Sequence, residues 1–144
     1  MSAVADSRLS RPIRRTHAFF LATTVPPFLG AALCDYVYTA SYQVQWINFA
    51  AWLIVGGLVF GAVALVYAFV DWFLDGRGRR LPVHDAVVLV MWAVGFFDVL
   101  IHSRDAWATM PTGLVLSVIA TILAGLATWL GFSGIPGPRM RGAP

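Results

Sequence analysis

Six ionisable side chains at the edges of hydrophobic stretches are the residues of this sequence that could carry chemistry. Two pairs of them share one spacing: His17 and Asp35 are 18 residues apart, as are His84 and His102. In an α-helix, 18 residues make about five turns and rise about 27 Å. Each pair therefore lies on one helix face, with its members near opposite surfaces of a hydrocarbon core about 30 Å thick. The spacing predicts two polar layers, which we call the inner layer and the outer layer.

The inner layer combines two histidines with an acid, and we assign to it His17, Asp71 and His84. His17 and His84 fall on different predicted helices at the same membrane surface, as two axial ligands of haem b would require. Asp71 could then orient one of the imidazoles. The same three side chains, with an open position, would also suit a divalent metal such as zinc. The plainer interpretation is that His17 is an anchor at the membrane surface and that the layer holds helices together.

The outer layer contains two acids and one histidine, namely Asp35, Asp98 and His102. Asp98 and His102 are one turn apart and can pair on their own helix. Arg104, the one basic residue predicted on this side, could neutralise Asp35 or Asp98. Hydrogen bonds between membrane helices contribute roughly 0.6–2 kcal/mol each, so interhelical clamping is the main interpretation of both layers.

The stretch between the two layers contains no ionisable side chain on the polar helix faces. These faces offer only hydroxyl groups there, from Thr24, Ser117, Thr121 and Thr128. A proton relay or transport path needs titratable groups or water within hydrogen-bond distance, so the pattern disfavours transport. The sequence also lacks a hydrolytic arrangement of Ser, His and Asp, or of Cys and His, and a phosphate-binding glycine loop. These observations favour a non-enzymatic protein.

The composition places these residues in a membrane protein. Of the 144 residues, 59% are hydrophobic and 12% are charged, and the mean hydropathy is +0.75. Soluble domains carry about 25% charged residues. All ten basic residues are arginine and stand beside the hydrophobic stretches, which is typical of topology signals and not of nucleic-acid binding. The single cysteine, Cys34, cannot form a disulfide within the chain.

Four hydrophobic stretches predict an all-α, four-helix transmembrane bundle that runs up, down, up and down. The first helix is expected to be kinked or loosened at Pro26 and Pro27. The second has a face of small residues that would allow close packing and would direct Asp71 into the bundle. The small residues are Ala50, Gly57, Gly61, Ala64 and Ala68.

The predicted segments also fix an orientation. An N-terminal tail, a transmembrane domain and a C-terminal tail cover 1–15, 16–132 and 133–144. The helices within the domain are predicted over 17–38, 46–74, 83–102 and 112–132. Four spans bring both tails and the loop after the second helix to one side, which then holds nine of the ten arginines, all except Arg104. Positive residues favour the cytoplasmic side, so we predict cytoplasmic N- and C-termini in a multi-pass protein of the bacterial inner membrane.

The order of these residues resembles a known family. A histidine opens the first helix, which contains proline and ends in aspartate, and a glycine-rich second helix also ends in aspartate. A histidine opens the third helix, an arginine follows that helix, and Trp-Leu-Gly stands near the end of the fourth. The matching positions, within about 16–132, are His17, Pro26, Asp35, Gly57, Gly61, Asp71, His84, Arg104, Trp129, Leu130 and Gly131. They resemble the bacterial four-helix membrane proteins of the domain-of-unknown-function 2231 family.

The resemblance has two departures and one functional implication. Ala18 follows the first histidine where the family usually has proline, and Phe132 stands where it often has a second glycine. The family has no settled activity. Some members are fused to cytochrome c or Rieske domains, so the resemblance implies a setting near electron transfer.

Three functions remain open from the sequence. The first is a small non-enzymatic inner-membrane subunit or scaffold, embedded in the lipid bilayer and assembled as a homo-oligomer or with a membrane redox partner. The second is a b-type haem or quinone-linked electron-transfer subunit that uses His17 and His84. The third is a metal-binding or transport protein.

Overall fold

A computed structural model of the chain describes residues 2–74 and 83–133, with side chains from residue 16 onward except those of Asp71 and Leu74. The predicted basic turn after the second helix and the C-terminal tail from 134 lie outside the described residues. The side chains of the arginine-rich N-terminal tail do so as well. The described helices are α1 (Ser2–Ser41), α2 (Val44–Leu74), α3 (Val83–His102), α4 (Ala106–Thr109) and α5 (Thr112–Ser133).

Four of these helices are long and apolar enough to cross a membrane, which confirms the predicted four-helix transmembrane fold. Their candidate spans are Thr16–Ser41, Val44–Val70, Val83–His102 and Thr112–Ser133. Each has about the 20 residues that a bilayer crossing requires. α1 is longer than the helix predicted over 17–38, because it also includes residues of the polar N-terminal tail. It remains α-helical through Pro26 and Pro27, where the sequence predicts a kink or a loosened turn.

The connections on one side of the bundle are short. Tyr42 N–H donates to Tyr38 O at 2.8 Å, and Tyr42 itself has a φ of 56°, in the left-handed region. This conformation turns the chain directly into α2, so that only two residues separate the helices, fewer than the predicted polar connection. α4 is a single turn between α3 and α5.

The spanning helices form a ring in which α1 and α3 lie diagonally opposite. α1 packs against α2 and α5, and α3 packs against the same two helices. The centre is filled by the fully buried Phe28 of α1. A Cβ atom added at Gly57 of α2 or Gly95 of α3 would come within 3.0 Å of the Phe28 ring. These two glycines therefore make room for the aromatic ring that joins the diagonal.

The middle of the bundle is apolar. Its fully buried side chains include Leu21, Phe28, Ile54, Val88 and Met91. The Thr24 hydroxyl in this region donates to Leu21 O at 2.6 Å on its own helix. Among the described residues, the two ends of the bundle are thus separated by hydrocarbon.

Candidate functional site

The outer layer is a closed cluster of four buried side chains from three helices. Asp35 of α1, Asp98 of α3 and Ser117 of α5 have no exposed surface, and His102 of α3 is 5% exposed. His102 Nε2 lies 2.8 Å from Asp35 Oδ1. On the other side of the ring, His102 Nδ1 lies 3.0 Å from Asp98 O and 3.1 Å from Asp98 Oδ1. The structure thus brings together all three residues that the sequence assigns to this layer.

Ser117 links the two acids. Its Oγ lies 2.7 Å from Asp35 Oδ2 and 2.9 Å from Asp98 Oδ2. A hydroxyl carries one proton and donates it to one acceptor, so the second short contact is a hydrogen bond only if that carboxyl is itself protonated and donates to Oγ. Both nitrogens of His102 likewise face oxygen acceptors, and both can donate only in the imidazolium form. One negative carboxylate, one neutral carboxylic acid and one imidazolium fit these hydrogen bonds with no net charge. Asp98 Oδ1 is the one carboxyl oxygen of the cluster that has no hydrogen bond among the described residues, although it lies 3.1 Å from His102 Nδ1.

The loop after α3 covers this cluster. Thr109, at the end of α4, is fully buried, and its hydroxyl lies 3.2 Å from Asp105 O. A Cβ atom at Gly113 would come within 2.9 Å of His102 Cε1 and 2.7 Å of Thr109 Cγ2. Gly113 is therefore small because the start of α5 passes directly over the imidazole. Arg104 is exposed, and the described contacts of the two acids go to His102 and Ser117 instead.

The inner layer has a different character. His17 of α1 and His84 of α3 have ring centres 5.2 Å apart and an interplanar angle of 61°, in an edge-to-face contact. His17 is 9% exposed, and His84 is partly buried. His17 Nε2 and His84 Nδ1 are buried without a hydrogen-bond partner among the described residues. The side chain of Asp71, the third residue predicted for this layer, lies outside the described residues.

Gly131 of α5 lies beside Leu21 and the His84 ring. A Cβ atom at this position would lie 3.2 Å from Leu21 Cδ1 and 3.5 Å from His84 Cε1. The contact with Leu21 would be tight and the one with His84 ordinary, so the missing side chain mainly makes room for Leu21 of α1. Thr128, one turn earlier on α5, also has a buried hydroxyl oxygen without a partner in the described part of the chain.

The two rings are closer together than two axial ligands of one haem iron would be. Two imidazoles bound to opposite sides of one iron, at bond lengths of about 2 Å, have ring centres about 6 Å apart with the porphyrin between them. Here the centres are closer, at 5.2 Å, and one ring edge faces the other ring. The described residues also contain no group of three His, Cys, Asp or Glu side chains placed to hold a metal. Of the predicted metal ligands, the structure brings His17 and His84 together.

Sequence reasoning placed Ser117 in the stretch between the layers and did not single out Thr109. A depth count would have placed Ser117 correctly: it follows Thr112 by five positions, and Asp98 precedes His102 by four. Ser117 and Asp98 therefore lie at similar distances from the same end of the bundle. No comparable signal marks Thr109, because its position depends on how the loop folds over the helix ends.

The chain belongs to the domain-of-unknown-function 2231 family, described as predicted membrane proteins, and the match covers residues 14–133. This confirms the resemblance that the histidine, aspartate and glycine positions indicate. Comparisons with curated proteins and with solved structures gave no significant match.

Proposed function

We propose that this member of the family is a non-enzymatic subunit or scaffold of the bacterial inner membrane. The observation that supports this best is the outer cluster. It joins α1, α3 and α5 through buried contacts of 2.7–2.9 Å between Asp35, His102, Ser117 and Asp98. The hydrogen bonds of these side chains go to one another and to Asp98 O.

A closed polar network of this kind favours one helix arrangement over others. In a medium of low dielectric constant, a buried polar group without a partner is costly, so alternative packings that separate the four side chains are disfavoured. The result is a rigid body whose outer faces are apolar. Such a body suits a supporting role, because it can present fixed helix faces to another protein in the membrane.

Two glycines on those faces would permit close helix contact with a partner. A Cβ atom added at Gly56 of α2 or Gly125 of α5 meets nothing within 4 Å. Glycines inside the bundle, such as Gly57, lie against neighbouring side chains, whereas these two do not. Small residues on a membrane helix let another backbone approach closely, so either glycine could contact a second copy or a different membrane protein.

The test is the mass of the assembly extracted directly into polymer-bounded lipid discs. We expect a defined complex larger than the 15.7 kDa chain. Gly56→Leu or Gly125→Leu should weaken that complex without unfolding the bundle, because both positions face open space. Val66→Leu, at a residue that is 62% exposed on α2, is the matched control and should leave the complex intact. A monomer as the sole species would contradict the proposal.

The electron-transfer alternative depends on the same histidines and is less well supported. The His17 and His84 ring centres are 5.2 Å apart, closer than the about 6 Å of two axial imidazoles, so the rings would have to separate to take up an iron porphyrin. A Soret absorbance band in protein expressed with ample haem, lost in both His17→Ala and His84→Ala, would revive this alternative. Transport is also less well supported, because Phe28 and Met91 occupy the middle of the bundle with no exposed surface.

A further inference from the structure

We infer that the outer cluster of Asp35, Asp98, His102 and Ser117 is a pH-sensitive latch. It holds the start of α5 against α1 and α3 while one of its two acids keeps a proton, and it releases α5 when that proton is lost. The inference is independent of the subunit proposal, because a monomeric chain would show the same pH dependence.

Ser117 is the group through which α5 joins the cluster. Its Oγ lies 2.7 Å from Asp35 Oδ2 and 2.9 Å from Asp98 Oδ2. One hydroxyl proton serves one acceptor, so both contacts are hydrogen bonds only while one acid is protonated and donates to Oγ. α5 has no ionisable side chain of its own over Thr112–Ser133. Its polar attachment at this end therefore depends on the proton that the two acids share.

The hydrogen bonds also indicate which acid keeps the proton. Both carboxyl oxygens of Asp35 have a partner, His102 Nε2 at 2.8 Å and Ser117 Oγ at 2.7 Å. Asp98 Oδ1 has no hydrogen bond among the described residues. Hydrogen bonds to the charged form favour ionisation. Asp35 is thus the better carboxylate, and Asp98 is the acid that donates to Ser117.

Loss of the Asp98 proton to water changes both the charge and the hydrogen bonding. Two carboxylates would then face one imidazolium, although Asp35, Asp98 and Ser117 have no exposed surface. Ser117 Oγ would also lie against a second carboxylate oxygen to which it has no proton to donate. An unpaired charge in an apolar interior is costly, and separation of α5 relieves it by letting water reach both acids.

The neighbouring ionisable groups offer no buried cation to compensate the second carboxylate. Among the described residues at this end, the charged side chains outside the cluster are the exposed Arg104 and Asp105. The described parts of α2 and α4 bring no charged side chain here. The remaining groups belong to α1 and the turn after it and are neutral at pH 7 in their ordinary state: Cys34, Tyr36, Tyr38 and Tyr42.

The cluster lies close to the aqueous side, so its proton can exchange with water. The loop after α3 covers it with the single turn of α4, in which Thr109 is fully buried and Trp107 is 82% exposed. Opening of this one turn gives water access to the cluster. The latch therefore responds to the pH of the compartment on this side of the membrane.

Proton linkage fixes the sign and the size of the effect. The folded cluster holds two dissociable protons, one on Asp98 and one on His102. Separated aspartate and histidine side chains release theirs near pH 3.9 and 6.5. Stability falls with rising pH wherever the folded state holds more protons than the unfolded state, by about tenfold in the equilibrium constant per proton and per pH unit. Above about pH 7.5, the unfolding equilibrium constant should therefore rise by up to about 100-fold per pH unit.

The experiment follows unfolding of the full chain by sodium dodecyl sulfate in mixed micelles from pH 7.5 to 9. We expect the unaltered protein to lose stability steeply over this range. Asp98→Asn keeps the shape of the side chain and an N–H that can donate to Ser117 Oγ, but it has no carboxyl proton to lose. Its unfolding equilibrium constant should rise about tenfold less per pH unit than that of the unaltered protein.

Hydrogen–deuterium exchange locates the opening. After correction for base catalysis of exchange, the amides of 112–121 in α5 should open at alkaline pH in the unaltered protein and less in Asp98→Asn. Asp105→Asn, at an exposed acid, and Cys34→Ala, at the thiol beside Asp35, are the controls and should keep the steep dependence. If Asp98→Asn fails to fold, Asp35→Asn gives the same comparison, because it also leaves one acid in the cluster.

Stability that does not change between pH 7.5 and 9 would overturn the inference. So would an equal pH dependence in the unaltered protein and the Asn variant. Alkaline opening that spares the start of α5 would overturn it as well.

Discussion

At the residue scale, the two layers differ in how their polar side chains are partnered: those of the outer layer contact one another, although Asp98 Oδ1 has no hydrogen bond among the described residues. In the outer layer Ser117 bridges Asp35 and Asp98, and His102 contacts both acids. In the inner layer His17 Nε2 and His84 Nδ1 have no partner among the described residues. The outer layer is therefore suited to holding three helices together, whereas the histidine pair of the inner layer contributes a ring contact between α1 and α3.

Removing the bridging hydroxyl should be costly. In Ser117→Ala, the Oδ2 atoms of Asp35 and Asp98 lose their shared partner in a buried site. We expect the free energy of unfolding to fall by about 1–3 kcal/mol. Unfolding by sodium dodecyl sulfate in mixed micelles measures this change. Ser103→Ala is the matched control, because the exposed Ser103 hydroxyl bonds only to Leu100 O, at 2.7 Å, in the described structure; a loss as large as that in Ser117→Ala would contradict the prediction.

The count of protons in the outer cluster gives a spectroscopic prediction. If one carboxyl donates to Ser117 Oγ, infrared spectra of the folded protein should contain the C=O band of a protonated carboxylic acid. Asp98→Asn and Asp35→Asn should each remove it, because an amide N–H can donate to Oγ in place of the acid. Asp105→Asn, at an exposed residue, should leave it unchanged. Identical spectra for all three variants would show that neither cluster acid holds the proton.

At the scale of the helices, glycine positions decide how closely the diagonal pair α1 and α3 approach. A Cβ atom added at Gly95 of α3 would lie 3.0 Å from the Phe28 ring and 3.2 Å from Leu58 Cδ2. Contacts of this length are tighter than most Cβ contacts in proteins, so a methyl group here must push the ring back by a few tenths of an ångström. The buried ring is therefore the element that fixes the spacing of the diagonal.

Gly95→Ala should destabilise the bundle, whereas Gly125→Ala should not. Overpacking in a buried core costs about 1–3 kcal/mol, and Gly125 faces open space. The measurement is again detergent-induced unfolding. Combining Gly95→Ala with Phe28→Leu should recover part of the loss, and the coupling between the two changes reports their contact. Additive effects in the double variant would contradict the packing described.

Much of this arrangement could be predicted from helical periodicity. The 18-residue spacing of His17 and Asp35, and of His84 and His102, gives both the depth of each residue and its helix face. The pairing of His17 with His84 across the diagonal could be predicted from their shared depth and chemistry, but the order of the helices around the ring could not, because spacing does not specify which helices are neighbours. The position of α4 and Thr109 over the end of the bundle could not be predicted either, because the folding of a loop leaves no periodic pattern in the sequence. The bridging role of Ser117 could be predicted in part: its position along α5 gives its depth in the bundle, but the sequence does not show that it contacts Asp35 and Asp98.

At the scale of the whole molecule, the distribution of arginines predicts orientation. Nine arginines belong to the two tails and the loop after α2, and Arg104 alone belongs to the opposite side. We expect an alkaline phosphatase fusion after Pro144 to be inactive, because the enzyme folds only outside the cytoplasm. The same reporter inserted after Arg104 should be active. An active fusion at the C-terminus would reverse the orientation, and the inner layer would then face away from the cytoplasm.

The central claim is that one end of the bundle holds a histidine that contacts the carboxyl groups of two acids, while the other end holds two histidines in mutual contact. Solid-state NMR of protein labelled with ¹⁵N-histidine and ¹³C-aspartate in lipid bilayers tests this directly, since three histidines give three resolvable sets of signals. The account predicts that one histidine shows short-range couplings from both ring nitrogens to aspartate carboxyl carbons, and that these signals disappear in His102→Gln. It also predicts ring-to-ring contacts between the other two histidines. Three histidines without aspartate couplings, or without contacts to one another, would contradict it.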